Sequence, residues 1–166
     1  EPLIHKDIVQ IVEGIIARKK FVYLCTNGLL LEKRIDKFTP SPYLTFSVHL
    51  DGLKEHHDRA VDQEGTFEIA TQAIRKAKEL GFRVNVACTL FNQMNAEEAA
   101  SFFEFCTNDL EVEGITVSPG YAYERAPDQK HFLTRFKTKQ LFRDIFSRTE
   151  AKSWKFSQST LFLDFL

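Results

Sequence analysis

Cys25, His49, Asp51, His56, His57 and Asp58 are the side chains of this chain best suited to chemistry, and a strand would deliver the second and third of them together. Across Tyr43 to Asp51, Leu44, Phe46, Val48 and Leu50 share one face while Thr45, Ser47, His49 and Asp51 share the other, because successive strand side chains point to opposite sides. An imidazole and a carboxylate on one face can hold a polar ligand or a proton. Gly52 and a charged loop through Asp58 then end the strand, and enzymes built on parallel barrels place their chemistry in such loops. Taken alone, His49 is a neutral hydrogen-bond donor or a core histidine, and Asp51 is a turn former before Gly52 or a ligand. Adjacent histidines project in different directions and no strand supplies a third ligand at zinc spacing, so His56, His57 and Asp58 are expected in loop or helix-capping roles, with no metal site.

Four segments carry strand patterning: Phe21 to Asn27, Tyr43 to Asp51, Phe82 to Leu90 and Ile115 to Pro119. Helical patterns separate them, which implies parallel βαβ units. Ile8, Ile11, Val12, Ile15 and Ile16 form a stripe that predicts a helix from about Lys6 to Lys19. Phe67, Ala70, Ala73, Ile74 and Ala77 predict another from Thr66 to Leu80, with Gly81 as its stop. Asn95 followed by Glu98 has the capping arrangement for a helix carrying Ala99, Phe102, Phe103 and Cys106. A short helix within Leu29 to Phe38, broken at Pro40 and Pro42, and a last one from Thr138 to Phe146 complete the pattern. The fold class is α/β, parallel strands alternating with helices in a single domain, as a slice of a barrel or of a doubly wound sheet. No G-x-G-x-x-G or P-loop pattern follows a strand, which disfavours nucleotide-binding open sheets.

A parallel strand covered by helices on both faces would be a near-continuous run of Val, Ile and Leu. These strands alternate instead. Tyr23, Cys25 and Asn27 of the first, Thr45, Ser47, His49 and Asp51 of the second, Asn85 and Thr89 of the third, and Thr116 and Ser118 of the fourth therefore line a polar interior. Unpaired buried polar groups cost about 1–3 kcal/mol each, so such a lining serves a polar ligand or a self-satisfied network with bound water.

A net charge of -1 with no long basic run removes the electrostatic footprint of a nucleic-acid binder. No apolar stretch approaches the roughly 20 residues that span a bilayer, and three separated cysteines fit a reducing compartment, so a cytoplasmic location is expected. Most of the 16 phenylalanines are expected in the core rather than facing lipid. The start at Glu1 and the apolar close LFLDFL point to a parent protein longer at both ends.

The order and wording of the segments resemble the radical SAM enzymes. Glu1-Pro2 is similar to the last half of that superfamily's Gly-Gly-Glu-Pro motif, and TNG at 26 to 28, SVHLDG at 47 to 52, HD at 57 and 58 and GFRVNV follow in its order. KKFVYLCTNGLLLEK, SPYLTFSVHLDG, GFRVNVACTLFN, GITVSPGYAYERAPDQKHFL and KTKQLFRDIF resemble the adenosyl-hopene transferases of hopanoid biosynthesis. The resemblance implies the C-terminal part of a partial βα barrel and a cofactor pair of S-adenosylmethionine and a four-iron, four-sulfur cluster. It further implies addition of a 5'-deoxyadenosyl radical to the isopropenyl double bond of a hopene such as diploptene. A flavodoxin or ferredoxin would donate electrons, and a bilayer-dissolved substrate would bring peripheral contact with the inner face of the bacterial membrane. The family's three-cysteine cluster motif precedes Gly-Gly-Glu-Pro, so the cluster ligands are expected outside this chain. Many relatives follow His-Asp with an Arg-Gly pair where Val61-Asp62 stands here, so an arginine contact to the cofactor carboxylate does not carry over, and Arg59 is not its match.

Carried over by position, Glu1 would meet the cofactor's amino group. Asn27 and Ser47 would bind its ribose or carboxylate, with Asn85 a further candidate for carboxylate or adenine. Adding a carbon radical to an alkene leaves a carbon radical that must be quenched, and Cys25, the one cysteine on an inner face, is expected to supply the hydrogen atom; otherwise it is a small hydrophobe, the role expected of Cys88 and Cys106. Tyr121, Tyr123, Glu124 and Arg125 would shape the hopene entrance. Two other functions fit the pattern: a radical SAM enzyme modifying a peptide or other small molecule, and a non-catalytic binding domain that keeps the barrel.

Overall fold

The alternating segments form one four-stranded parallel sheet, ordered β1-β2-β3-β4, in the computed structural model, which describes residues 1–123, 125, 130–148, 153–159 and 162–163. The strands are β1 (Val22–Thr26), β2 (Leu44–His49), β3 (Arg83–Leu90) and β4 (Gly114–Pro119), each within a residue or two of its expected bounds. Around them run α1 (Ile8–Ala17), α2 (Leu31–Arg34), α3 (Lys54–Ala60), α4 (Thr66–Glu79), α5 (Ala96–Glu104) and α6 (Arg135–Phe146).

Register sorts the faces as the alternation predicts. Leu24, Phe46 and Val84 align, as do Thr26, Val48, Val86 and Ile115, and this side is packed beneath the helices. Full burial of side chains such as Phe46, Val84 and Ile115 stabilises the fold by about 1.5–3 kcal/mol each. On the other side Cys25, Ser47, Asn85 and Gly114 make one row, and His49, Ala87 and Thr116 make the next. No described helix covers that row at β1, where Tyr23 is 59% exposed and Cys25 is exposed.

The small residues of α4 let it approach closely. At Gly28, φ is +82° and an added Cβ would lie 3.0 Å from the Ala70 Cβ and 3.1 Å from its Cα, so the turn after β1 requires a glycine. Asn95 caps α5 through the Glu97 and Glu98 amides while Glu98 returns to the Asn95 amide, completing the expected capping box. A π-helical turn, Phe105–Asp109, then carries Cys106 into the core. α6 begins at Arg135 rather than at Thr138, because the Thr134 hydroxyl accepts from the Lys137 amide and starts the helix earlier.

Two elements depart from expectation. Residues 54–60 form α3 rather than a loop, although no side chain caps its first turn; it buries His57 and Asp58 and packs against α4. The chain also returns after α6 to lie beside β4. The Ile115 amide donates to the Lys155 carbonyl at 2.6 Å and the Ser157 amide to the Ile115 carbonyl at 2.8 Å, while the Gln158 side chain brackets the Val117 backbone from both sides. Residues 155–158 thus occupy the place of a fifth parallel strand. Phe103, Phe146, Trp154 and Phe156 seal this return in edge-on ring contacts, as expected for core phenylalanines, whereas Phe21, Phe136 and Phe162 are exposed. Among the described residues no helix is long and apolar enough to cross a membrane.

Candidate functional site

All four strands point their C-terminal ends to one edge, so the polar side chains there converge by topology. Asp51 organises that edge. Its Oδ1 accepts from the Thr89 amide at 2.8 Å and lies 2.9 Å from His49 Nε2, and its own amide donates to His57 Nδ1 at 3.2 Å. The Asp51 hydrogen bond raises the His49 imidazole above its usual range, against a smaller opposing effect of burial. Burial lowers His57, which stays neutral. Both histidines and the aspartate are therefore joined, through a backbone contact that spacing alone does not reveal.

Asp58 belongs to the scaffold. Its carboxylate accepts from the Gly65 amide, the Thr66 hydroxyl and the Phe67 amide, all at 2.8 Å, and so caps α4 from a neighbouring helix. His56 Nε2 lies 3.2 Å from Glu98 at the start of α5.

The residues singled out for a cofactor are placed as follows. Glu1 is fastened by the Thr26 hydroxyl at 2.9 Å from both carboxylate oxygens, the Asn27 amide at 2.9 Å and the Leu3 amide at 3.0 Å. This sets the carboxylate at the C-terminal end of β1. Asn27 is exposed there, its Oδ1 accepting from the Leu29 amide. Ser47 is 7% exposed and its hydroxyl makes no side-chain hydrogen bond among the described residues. Asn85, 4% exposed, donates its amide to the Ser157 hydroxyl at 2.6 Å. That bond passes over Gly114, where a Cβ would stand 2.2 Å from Ser157 Oγ. Thr26, the Thr89 amide and Ser157 are functional supports that sequence reasoning missed; two of them are on the apolar-side register or are backbone groups, and the third is remote in sequence.

Cys25 is the exposed cysteine, in the row with Ser47 and Asn85. Cys88 and Cys106 are buried, and desolvation pushes both thiols up, well above the usual thiol range for Cys88. Beside the C-terminal edge lies a cavity of about 280 Å³ lined by the apolar Ala60, Phe91, Met94 and Phe132 and by the polar Asp51, His56, Arg59, Gln93 and His131. Tyr123 meets Phe132 nearby, and Tyr121 is 45% exposed; Glu124 lies outside the described residues.

S-adenosylmethionine presents ribose hydroxyls, an amino group and a carboxylate, and the Ser47 hydroxyl, unbonded among the described residues, exposed Asn27 and the Glu1 carboxylate suit those groups. An iron–sulfur cluster requires converging thiolates, and among the described residues no three His, Cys, Asp or Glu side chains come together to hold a metal. The cluster does not fit on these residues.

Residues 1–106 match the model of the radical SAM superfamily, and residues 115–166 match a domain of unknown function, DUF3463. A GTP 3',8-cyclase of Clostridium perfringens is 25% identical over 122 residues, covering 72% of this chain and 38% of that protein. The GTP 3',8-cyclase of Synechocystis is 22% identical over 166 residues, covering 96% of this chain and 51% of that protein. SuiB of Streptococcus suis, solved with S-adenosylmethionine bound, superposes with a TM-score of 0.72 at 14% identity over 96% of this chain and 37% of its own. The chain thus spans about two fifths to one half of the relatives it matches.

Proposed function

Because this chain belongs to the radical SAM superfamily, we propose that it is the cofactor-cradling part of a radical SAM enzyme that modifies a small molecule. The superfamily works with S-adenosylmethionine and a four-iron, four-sulfur cluster; together they supply a 5'-deoxyadenosyl radical. The observation that carries the reading is the polar face, open at Cys25, with the Ser47 hydroxyl unpartnered among the described residues and the Glu1 carboxylate fixed at the same edge. On this reading Glu1 accepts from the amino group of the cofactor, Asn27 and Ser47 bind its ribose or carboxylate, and Asn85 backs them.

For the substrate, the curated relatives bear the name of enzymes acting on GTP. A hopene reading has a separate support. The cavity at the edge has Phe91, Met94 and Phe132 as apolar walls, with Arg59, His56 and His131 also lining it, and on β1 to β4 the C-terminal half of the open face adds no lysine or arginine. An apolar alkene suits those walls. In that reaction the adduct radical takes the hydrogen atom of the Cys25 thiol, forming a C–H bond and a thiyl radical. One electron from a flavodoxin or ferredoxin and one proton then restore the thiol. A substrate drawn from a bilayer would bring the enzyme to the inner membrane face.

Anaerobic reconstitution of the full-length protein with iron, sulfide and S-adenosylmethionine, followed by mass spectrometry, separates the readings. Adenosylhopane from diploptene supports the hopene reading, and a cyclised product from GTP supports the nucleotide one. Free 5'-deoxyadenosine with neither product leaves a peptide or another small molecule as substrate. Absence of S-adenosylmethionine cleavage would return the chain to a binding-domain role. If adenosylhopane forms, Cys25→Ala should keep cofactor cleavage and lose the reduced adduct; unchanged yield would remove Cys25 from the reaction.

A further inference from the structure

The outward side of α6 is charged in one sense. Arg135, Lys137, Lys139 and Arg143 are exposed, Asp144 is the one acidic residue of the helix, and among the described residues none of the four cations is held in an ion pair. The chain as a whole carries a net charge of -1, so the excess is local to this face. Arg135 and Lys137 stand in the first turn, which has no acid although a helix N-terminus favours one, so these charges do not serve the helix itself. Phe136 lies between them and is 78% exposed, more than any other large apolar side chain among the described residues. By helical spacing Phe136, Lys139, Gln140 and Arg143 form one outward stripe, opposite the buried Thr138, Leu141 and Ile145. Tyr121, 45% exposed, bridges to Leu133, and the ring of Tyr123, 61% exposed, is centred 6.0 Å from that of Phe132, so two more exposed aromatics stand at the lead-in to α6.

We propose that this face docks the protein on an anionic phospholipid bilayer, with Phe136 entering the headgroup layer and Arg135, Lys137, Lys139 and Arg143 pairing with lipid phosphates. The apolar side of α6 is already buried in the core through Leu141, Phe142 and Ile145, so the helix rests on the surface by its cations and one ring rather than sinking into it. Charge complementarity selects the occupant. Unpaired cations suit phosphate, and an aromatic ring among them suits the boundary between headgroups and acyl chains; water alone would solvate the charges and leave the ring without a partner. Phe132, four residues before Phe136, lines the cavity at the C-terminal edge, so docking through α6 brings that cavity to the membrane surface. The inference rests for its purpose on the reading of a bilayer-dissolved substrate, whereas the docking itself is measured without substrate.

The test sediments the full-length protein with vesicles of phosphatidylcholine alone and with vesicles of equal parts phosphatidylcholine and phosphatidylglycerol. Binding should be about tenfold or more tighter to the anionic vesicles and should fall as salt rises, because surface charges are screened. Phe136→Ser should weaken it about tenfold, and Lys139→Gln combined with Arg143→Gln about twenty-five-fold, or about fivefold for each cation. All three positions are exposed, and the comparison of vesicles and the salt series need no variant. Equal binding to both vesicles, binding to neither, or Phe136→Ser binding as tightly as the unmodified protein would overturn the proposal. Binding to an RNA homopolymer or to polyglutamate as tight as to the anionic vesicles would also overturn it, and would assign the face to a nucleic acid or an acidic protein. Vesicle binding without adenosylhopane from diploptene keeps the docking face and removes its hopene purpose. Adenosylhopane made by a protein that ignores vesicles removes the face and keeps the hopene reading.

Discussion

Replacing Gly114 by Ala tests how the return segment 155–158 is tied to the open face. The new Cβ would stand 2.2 Å from Ser157 Oγ and 3.3 Å from Asn85 Oδ1, inside contact distance of both. Two outcomes are open to the structure. Ser157 can rotate away, which surrenders its 2.6 Å bond and leaves the amide of the 4% exposed Asn85 unpaired, at a cost of about 1–3 kcal/mol. Alternatively the segment can shift, which strains its backbone bonds to Ile115 and carries an overpacking cost of about 1–3 kcal/mol. Either route predicts a loss of about 2 kcal/mol and a fall in Tm of about 4–8 °C for a domain of this size. Urea unfolding of the full-length protein measures it, and hydrogen exchange at the Ser157 amide reports whether the segment has moved. Ser157→Ala alone should cost about 1–2 kcal/mol by unpairing Asn85, and the double variant should cost little more than the worse single one, because both break the same contact. A Gly114→Ala protein within about 0.5 kcal/mol of the original, or strictly additive losses, would refute the reasoning.

Gly28→Ala forces a side chain into a φ of +82° and against the Ala70 backbone at 3.1 Å, so a loss of about 2–4 kcal/mol is expected in the same urea assay. Thiol titration of the folded protein should modify Cys25 first, with Cys88 and Cys106 reacting only on unfolding; early modification of either buried thiol would contradict their placement. The two histidines should bend the pH dependence of stability in opposite directions. His49, raised in the fold, contributes stability that is full below about pH 6.5 and is lost as pH rises through its folded pKa. His57, lowered in the fold, contributes stability present above about pH 6.5 and lost as pH falls toward its folded pKa. Unfolding series from pH 5 to 9 on His49→Gln and His57→Gln should flatten the alkaline and acid limbs respectively.

Local patterning carried the strands and longer helices, because period-2 and period-3.6 alternation report which side faces the core, and β1 to β4 and α4 to α5 follow it closely. The capping box at Asn95 was legible for the same reason: its partners are three residues apart. What escaped detection is settled at long range. α3 has a mostly polar sequence and no local cap, and it is held by burial of His57 and Asp58 against its neighbours. The return of 155–158 to β4 depends on partners about forty residues away. At the site, alternation placed Cys25, Ser47 and Asn85 in one row, but it could not show that Asn85 spends its amide on Ser157, since that contact requires an absent side chain at Gly114. The assignment to hopene chemistry came from segment wording, and the curated relatives support only the coarser radical SAM reading.

The order β1-β2-β3-β4 also has a consequence for synthesis. Each strand's partner is the one made just before it, so a chain emerging N-terminal end first can dock strand upon strand without waiting. Asn85 breaks that sequence. Its hydrogen-bond partner is made 72 residues later, after α6. Until Ser157 arrives, the nascent sheet carries an unmatched amide in the middle of its polar face, in the row where Cys25 lies.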